Sequence, residues 1–276
     1  MTTFGDLPED QASGRIAEIY GEIRTYGAVP YVSSLQRQLA TVPGCLEWLW
    51  EAVRPAFIDG SVPEAAWGAV RGLDLPTLTP VPRPALRAMG VEGDGEAALQ
   101  GVYETFLRAS PVNMVTASLM GHLLAADAAG EGAAAASAPS WQPPAPPPPL
   151  PGFPSDAELG EEGMALLNLF TVDMSGSTFV PGLYRLLAHW PGYLAHVAVD
   201  ILPLLQRPEI LATCHDIVQK IDAVVPPLSR GLTAPPKPFD AATIDALRGS
   251  LVVYRGTTSP QMIVFSTLLR DALPGR

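Results

Sequence analysis

Two groups of residues in this chain have the types and spacing to do chemistry. His196 and Asp200 stand four apart, a spacing that puts both side chains on one helix face and suits an acid–base pair. That face also holds Arg207 and lies opposite an apolar stripe of Leu194, Val197, Ala198, Ile201, Leu204 and Leu205, so it reads as a solvated face. His189 and His196 are separated by about two turns, roughly 10 Å along a helix, too far for both to bind one metal directly. The second group is a turn that occurs twice: Ala28-Val-Pro-Tyr-Val-Ser-Ser and Ser177-Thr-Phe-Val-Pro-Gly. Each opens a helix with small polar residues whose N–H groups could hold a carboxylate. Each also carries an aromatic, Tyr31 in the first and Phe179 in the second. The alternative is ordinary capping around core aromatics.

Several familiar sites are missing. There is no Gly-x-x-x-x-Gly-Lys-Ser/Thr phosphate loop and no Gly-x-Ser-x-Gly nucleophile elbow. Gly93-Asp-Gly95 lacks the third glycine of a dinucleotide loop and reads as a turn. Cys45 and Cys214 lie far apart, with no Cys-x-x-Cys pair, which fits a reducing compartment. Four histidines are too few for a His-rich metal site, so no metal is expected. A net charge of −11, with the basic residues scattered, argues against nucleic acid, whose phosphates call for clustered Lys and Arg. At 47% hydrophobic and 16% charged, the chain is too apolar to be disordered. No run approaches the roughly 18 apolar residues of a membrane span. Met1-Thr-Thr-Phe-Gly-Asp lacks the basic and then apolar pattern of a signal peptide, so a cytoplasmic location is the expectation.

The elements that must position these residues are helices. Apolar residues recur at spacings of three and four in Tyr193–Leu205 and again at Ile16, Ile19, Tyr20 and Ile23. Pro43 and Pro191 sit where a first-turn proline opens a helix at no hydrogen-bonding cost. Ser110-Pro111 and Ser259-Pro260 read as N-cap plus first-turn proline. These signals predict helices near 12–25, 31–41, 43–57, 62–73, 94–108 and 111–125, and then near 156–172, 179–189, 191–206, 208–224, 240–254 and 260–272. Alternating strand patterns are scarce. The expected class is all-α.

The two sets correspond. A shift of 148 residues lays Val32–Leu46 on Val180–Leu194, matching Arg37 with Arg185, Leu39 with Leu187, Ala40 with Ala188, Pro43 with Pro191 and Gly44 with Gly192. After a one-residue slip, Ser110-Pro111 falls on Ser259-Pro260. Two matches in the same order point to duplication. Between the copies, alanine and glycine run from Ala125 to Ala138, and nine prolines follow between Pro139 and Pro154. Prolines at that density exclude helix and central strand and favour an extended spacer. The expected organisation is a helical repeat at 1–126, an Ala/Pro-rich linker at 127–155 and a second helical repeat at 156–276, together forming an internal pseudo-dimer.

The ordered set Ile16-Ala-Glu-Ile-Tyr-Gly-Glu-Ile-Arg, Val29-Pro-Tyr-Val, Arg-x-Leu-Ala and Pro-Gly-x-Leu resembles the group I 2-haloacid dehalogenases, which act on both D- and L-substrates. The resemblance spans both halves outside the linker. It implies an all-helical pseudo-dimer with its active site between the repeats and no cofactor. It also implies an aspartate in the second repeat that activates water to displace halide, assisted by an asparagine near the end of the first. Asn113, in Ser110-Pro-Val-Asn, matches the asparagine. The aspartate, preceded by serine, belongs just before Tyr184-Arg185, where this chain has Gly182-Leu183. No Asp or Glu occurs from Met174 to Val199, and leucine cannot take a proton from water.

Three functions follow as expectations. The first is an enzyme of this fold with diverged chemistry, isomerising, cyclising or eliminating on an organic acid or biosynthetic intermediate. The second is a hydrolytic dehalogenase with a relocated base, and the third a small-molecule binding protein without catalysis. For the first, Asn113 and the hydroxyl of Tyr184 or Tyr254 would act on substrate, and Asp173 is the nearest carboxylate for a relocated base. Tyr31, Ser34, Phe179, Gly182, Leu183 and Tyr254 would line the site. The expected partner is a small organic substrate, with no nucleic acid and no membrane. Association into a homo-oligomer is left open.

Overall fold

The computed structural model describes residues 5–125, 141–173 and 178–275, with Asp173 described by its backbone alone. The alanine-rich part of the linker and Ser177 lie outside the described residues. Twelve α-helices run in order among those described: α1 (Gly14–Tyr26), α2 (Ser34–Leu39), α3 (Cys45–Ile58), α4 (Ser61–Ala69), α5 (Arg83–Ala88), α6 (Gly95–Ala125), α7 (Asp156–Asn168), α8 (Gly182–Leu187), α9 (Pro191–Ile201), α10 (Pro208–Ser229), α11 (Ala241–Gly256) and α12 (Thr258–Asp271). The only strands among the described residues are a two-residue antiparallel pair, β1 (Val172–Asp173) and β2 (Thr178–Phe179), with Val172 opposite Phe179. The fold is all-α. None of the described helices is long and apolar enough to cross a membrane.

The chain forms two compact units. One comprises Met1–Arg71, Arg108–Pro146 and Ile217–Ser259; the other comprises Gly72–Leu107, Pro147–Asp216 and Pro260–Arg276. Each therefore draws on both halves of the sequence. The first unit centres on α3, apolar almost all round, which buries Leu46, Trp48, Leu49, Val53 and Phe57 among others and packs against α1, α2 and α4. In the second, α9 buries Tyr193, Leu194, Val197, Ala198 and Ile201 at the expected spacing and packs against α7 and α8. Fully burying one such side chain contributes about 1.5–3 kcal/mol, so these helices are held mainly by their apolar faces.

Caps fix several helix starts. Ser155 and Glu158 form a reciprocal capping box on α7, and Asp240 accepts from the Thr243 N–H at 2.8 Å to open α11. From Trp141 to Pro154 the described linker has neither helix nor strand.

The structure departs from the expected elements in definite places. Ser110-Pro111 does not start a helix. Both residues lie inside the continuous α6. Pro111 can sit there because proline's fixed φ is helical; only its bond to the Leu107 carbonyl is lost, and the two units part between Leu107 and Arg108. In the second copy the matching helices do separate, with Thr257 ending α11 and Pro260 in the first turn of α12. Pro191 opens α9 as expected, but Pro43 stays outside α3. There Gly44 caps the helix with φ 72°, a left-handed conformation that glycine adopts without strain. Helix α10 runs through Pro226 and Pro227 to Ser229 for the same reason that α6 tolerates Pro111. The short α5 was hidden by Pro82 and Pro84, which bracket its first residue.

Candidate functional site

A narrow pocket of about 300 Å³, its mouth included, opens in the first unit. Its apolar wall is Ile23 from α1, Val29, Phe57 from α3, and Ala109 and Val112 from α6. Its polar side is Tyr31, Ser33, Gln36 and Asn113. Ala109, Val112 and Asn113 share one face of α6 by their spacing of three and four.

The turn between α1 and α2 is pinned from two directions. Glu9 accepts the Val32 N–H at 2.7 Å and pairs with Arg24, while Arg108 donates to the Ala28 carbonyl. Ala28 has φ 51°, the only positive φ outside glycine among the described residues. Such a conformation costs an alanine on the order of 1 kcal/mol, and here it bends the chain so that Val29, Tyr31 and Ser33 face one space.

The polar side chains form a connected network. Gln36 Nε2 donates to Asn113 Oδ1 at 2.8 Å, and the Gln36 carbonyl oxygen accepts from Ser33 Oγ. Ser33, Gln36 and Asn113 are all buried. The Tyr254 hydroxyl faces Ser33, Asn113 and Ser259, and Ser259 Oγ also donates to the Tyr254 backbone carbonyl at 2.7 Å. Burial pushes the Tyr254 phenol up, and hydrogen bonding with Ser259, Ser33 and Asn113 pulls it partly back. Burial likewise raises Tyr31, with Tyr254 adding to the effect. Both stay protonated at neutral pH.

Of the residues expected from sequence, Asn113, Tyr31 and Tyr254 therefore meet in the first unit, and Ser34 opens α2 beside them, partly exposed. Asn113 and Tyr254 come from opposite halves of the chain, joined because α11 folds into this unit. Gln36, Ser33 and Ser259 were not singled out. Gln36 had a signal: it occupies a stripe position among Val32, Leu35 and Leu39, where an apolar residue is expected.

The remaining candidates lie in the second unit. Leu183 is fully buried, and the Tyr184 ring stacks on Phe170 with centroids 4.0 Å apart. The Tyr184 hydroxyl is buried without a hydrogen-bond partner among the described residues, and burial pushes its phenol up. Gly182 faces the rings of Phe106 and Phe153, and the Arg185 guanidinium lies 4.0 Å above Phe153. Phe179 and Asp173 belong to the strand pair. Close by, the hydroxyls of Tyr103 and Tyr193 share a hydrogen bond of 2.9 Å. His196 and Asp200 do approach, at 3.5 Å, with both side chains partly exposed. No group of three or more His, Cys, Asp or Glu among the described residues could hold a metal ion.

No family model matches the sequence, and no curated protein does. Solved structures do. A D-2-haloacid dehalogenase in complex with L-LA superposes with a TM-score of 0.73 at 18% identity, covering 98% of this chain and 97% of that one. A D-2-haloacid dehalogenase mutant in complex with D-2-CPA gives 0.74 at 17% identity, covering 98% and 96%. Another mutant gives 0.73 at 16% identity over the same shares. Over essentially its whole length, this chain has the fold of the D-2-haloacid dehalogenases.

Proposed function

We propose that this chain is a cofactor-independent enzyme of the dehalogenase fold whose chemistry has moved away from hydrolysis. It isomerises, cyclises or eliminates on a small organic acid or biosynthetic intermediate held in the first unit's pocket. The observation that carries this reading is the pocket's chemistry. Among the described residues that line it, four are polar and none has a carboxylate. Water is a poor nucleophile unless a placed base takes its proton. Amides and neutral phenols cannot do that, but they can orient a carbonyl and donate hydrogen bonds to it. Asn113 and Gln36, locked to each other, would hold the reacting carbonyl, since such pre-set positioning supplies much of an enzyme's rate. Tyr254, held neutral by burial, would donate a hydrogen bond to the oxygen on which negative charge develops.

The same reading treats 1–126 and 156–276 as repeats of an internal pseudo-dimer joined by 127–155. Support comes from which helices each unit contains. The first unit takes α11 from the second half, and the second takes the start of α6, the counterpart of α11, from the first half. A small-molecule substrate, a cytoplasmic location and independence of metals complete the proposal.

Dehalogenation is the activity named for the structural neighbours, so halide release from 2-chloropropionate is the deciding assay. We expect none above the uncatalysed background. Turnover at about 1 s⁻¹ or faster, in the ordinary enzymatic range, would overturn the proposal. If Asp173→Asn then abolished that turnover, Asp173 would be the relocated base of a hydrolytic dehalogenase.

A further inference from the structure

We infer that the first unit's pocket selects an uncharged ligand, the amide, ester or ketone of a short acyl group, over the corresponding carboxylate. This rests on the reading of that pocket as the active site and narrows its substrate class, dropping the free organic acid and keeping the neutral intermediate. The ten residues that line it, from Ile23 to Asn113, include no Lys, Arg or His. The nearby charges are already engaged. Glu9 is taken by Arg24 and the Val32 N–H, Arg37 by Asp6 at 2.8 Å, and Arg108 by the carbonyls of Ala28 and Ala145. A carboxylate entering here would lose its water without gaining a cation, the costliest way to bury a charge. The chain's net charge of −11 adds a field that repels anions.

The hydrogen-bonding pattern of the pocket suits a neutral ligand. Gln36 spends one N–H on Asn113 and its carbonyl oxygen on Ser33. A primary amide has two N–H donors besides Oδ1, so the network keeps donor capacity for a carbonyl oxygen, while the Ser33 hydroxyl, which donates to Gln36, has lone pairs that can accept from a ligand N–H. The space is narrow and apolar on its other side, which suits a short acyl chain rather than a long or branched one.

The test uses the full chain and a matched pair of probes, 2-chloropropionamide and 2-chloropropionate, titrated at pH 7. The side-chain amide NMR signals of Gln36 and Asn113 serve as the readout. The expected result is that both signals move with the amide, which binds at least about tenfold more tightly than the acid. Gln36→Leu should weaken amide binding about tenfold. If that variant does not fold, Gln36→Glu supplies the measurement, and it should weaken the acid further than the amide. If the acid binds as tightly as the amide and moves the same two signals, the selectivity is overturned while the pocket remains the site. If neither probe moves them at millimolar concentration, both the selectivity and the reading of the pocket fall.

Discussion

The same helix position carries opposite chemistry in the two compact units. Gln36 on α2 and Tyr184 on α8 are 148 residues apart, the offset that matches the two halves. Gln36 is buried and bonded on both sides of its amide, to Asn113 on α6 and to Ser33. Tyr184 is buried and stacked on Phe170, its hydroxyl without a partner among the described residues. The residues around them follow suit. Ser33 faces Pro181 in the alignment, and Asn113, after the one-residue slip, faces Met262, buried on α12. A polar pocket in one unit thus corresponds to an aromatic and apolar core in the other. On the proposed reading, the first unit, built from parts of both copies, carries the chemistry, and the matching positions of the second unit serve packing. A buried polar network is stable only when every member is satisfied, so divergence of this kind proceeds by whole networks rather than by single residues.

The sharpest way to break that comparison is to put the family's polar pair back into the apolar copy. Leu183 has no exposed surface, so the double change Gly182→Ser and Leu183→Asp would bury an uncompensated carboxyl. We expect a loss of about 3–5 kcal/mol in urea unfolding and no gain of halide release. A stable, dehalogenating double variant would show that the second unit holds a site after all.

A smaller effect comes from swapping the matched pair. Gln36→Leu removes the donor to Asn113 Oδ1 and the acceptor of Ser33 Oγ and should cost about 1–3 kcal/mol, while Tyr184→Phe removes a hydroxyl with no partner among the described residues and should stay within about 0.5 kcal/mol of the native protein. Equal costs would mean that Tyr184 has a polar partner of its own.

The smallest effect is seen only in alkali. Burial pushes Tyr20 and Tyr193 up to about 12, raises Tyr31 and Tyr254 in the first unit, and holds Tyr103 and Tyr184 high in the second. The fold thus favours neutral phenols, whereas unfolded tyrosine ionises near pH 10. Their contribution is complete below about pH 10 and is lost as pH rises toward 12. Absorbance at 295 nm, followed together with the helical circular dichroism, should show these phenols ionising only as helix is lost. Phenolate of more than one of the chain's seven tyrosines appearing near pH 10 with the helices intact would contradict the burial of these six.

Much of the fold was legible in the sequence. Spacings of three and four set α1 and α9, and proline density kept the described linker free of helix, because both are consequences of local backbone geometry. Helix ends were less legible. A Ser-Pro pair suits the first turn of a helix, but it also occurs inside one where neighbouring packing offsets a lost hydrogen bond and the ring's clash with the preceding turn; α6 took one outcome and the α11–α12 boundary the other. The site was half legible. Asn113, Tyr31 and Tyr254 stood out by motif or type, while Gln36 looked like one polar residue on a short helix.

By itself, then, the sequence determined that the chain is helical and that no carboxylate lies between Met174 and Val199, since neither depends on what touches what. Only the tertiary structure decided that Asn113 would meet Tyr254, 141 positions away. It also decided that the first unit would borrow α11 from the far half, and that Gln36 would be buried against an amide rather than turned to solvent. Those outcomes come from burial and from partners distant in sequence, and helix periodicity carries no information about which helix will supply them.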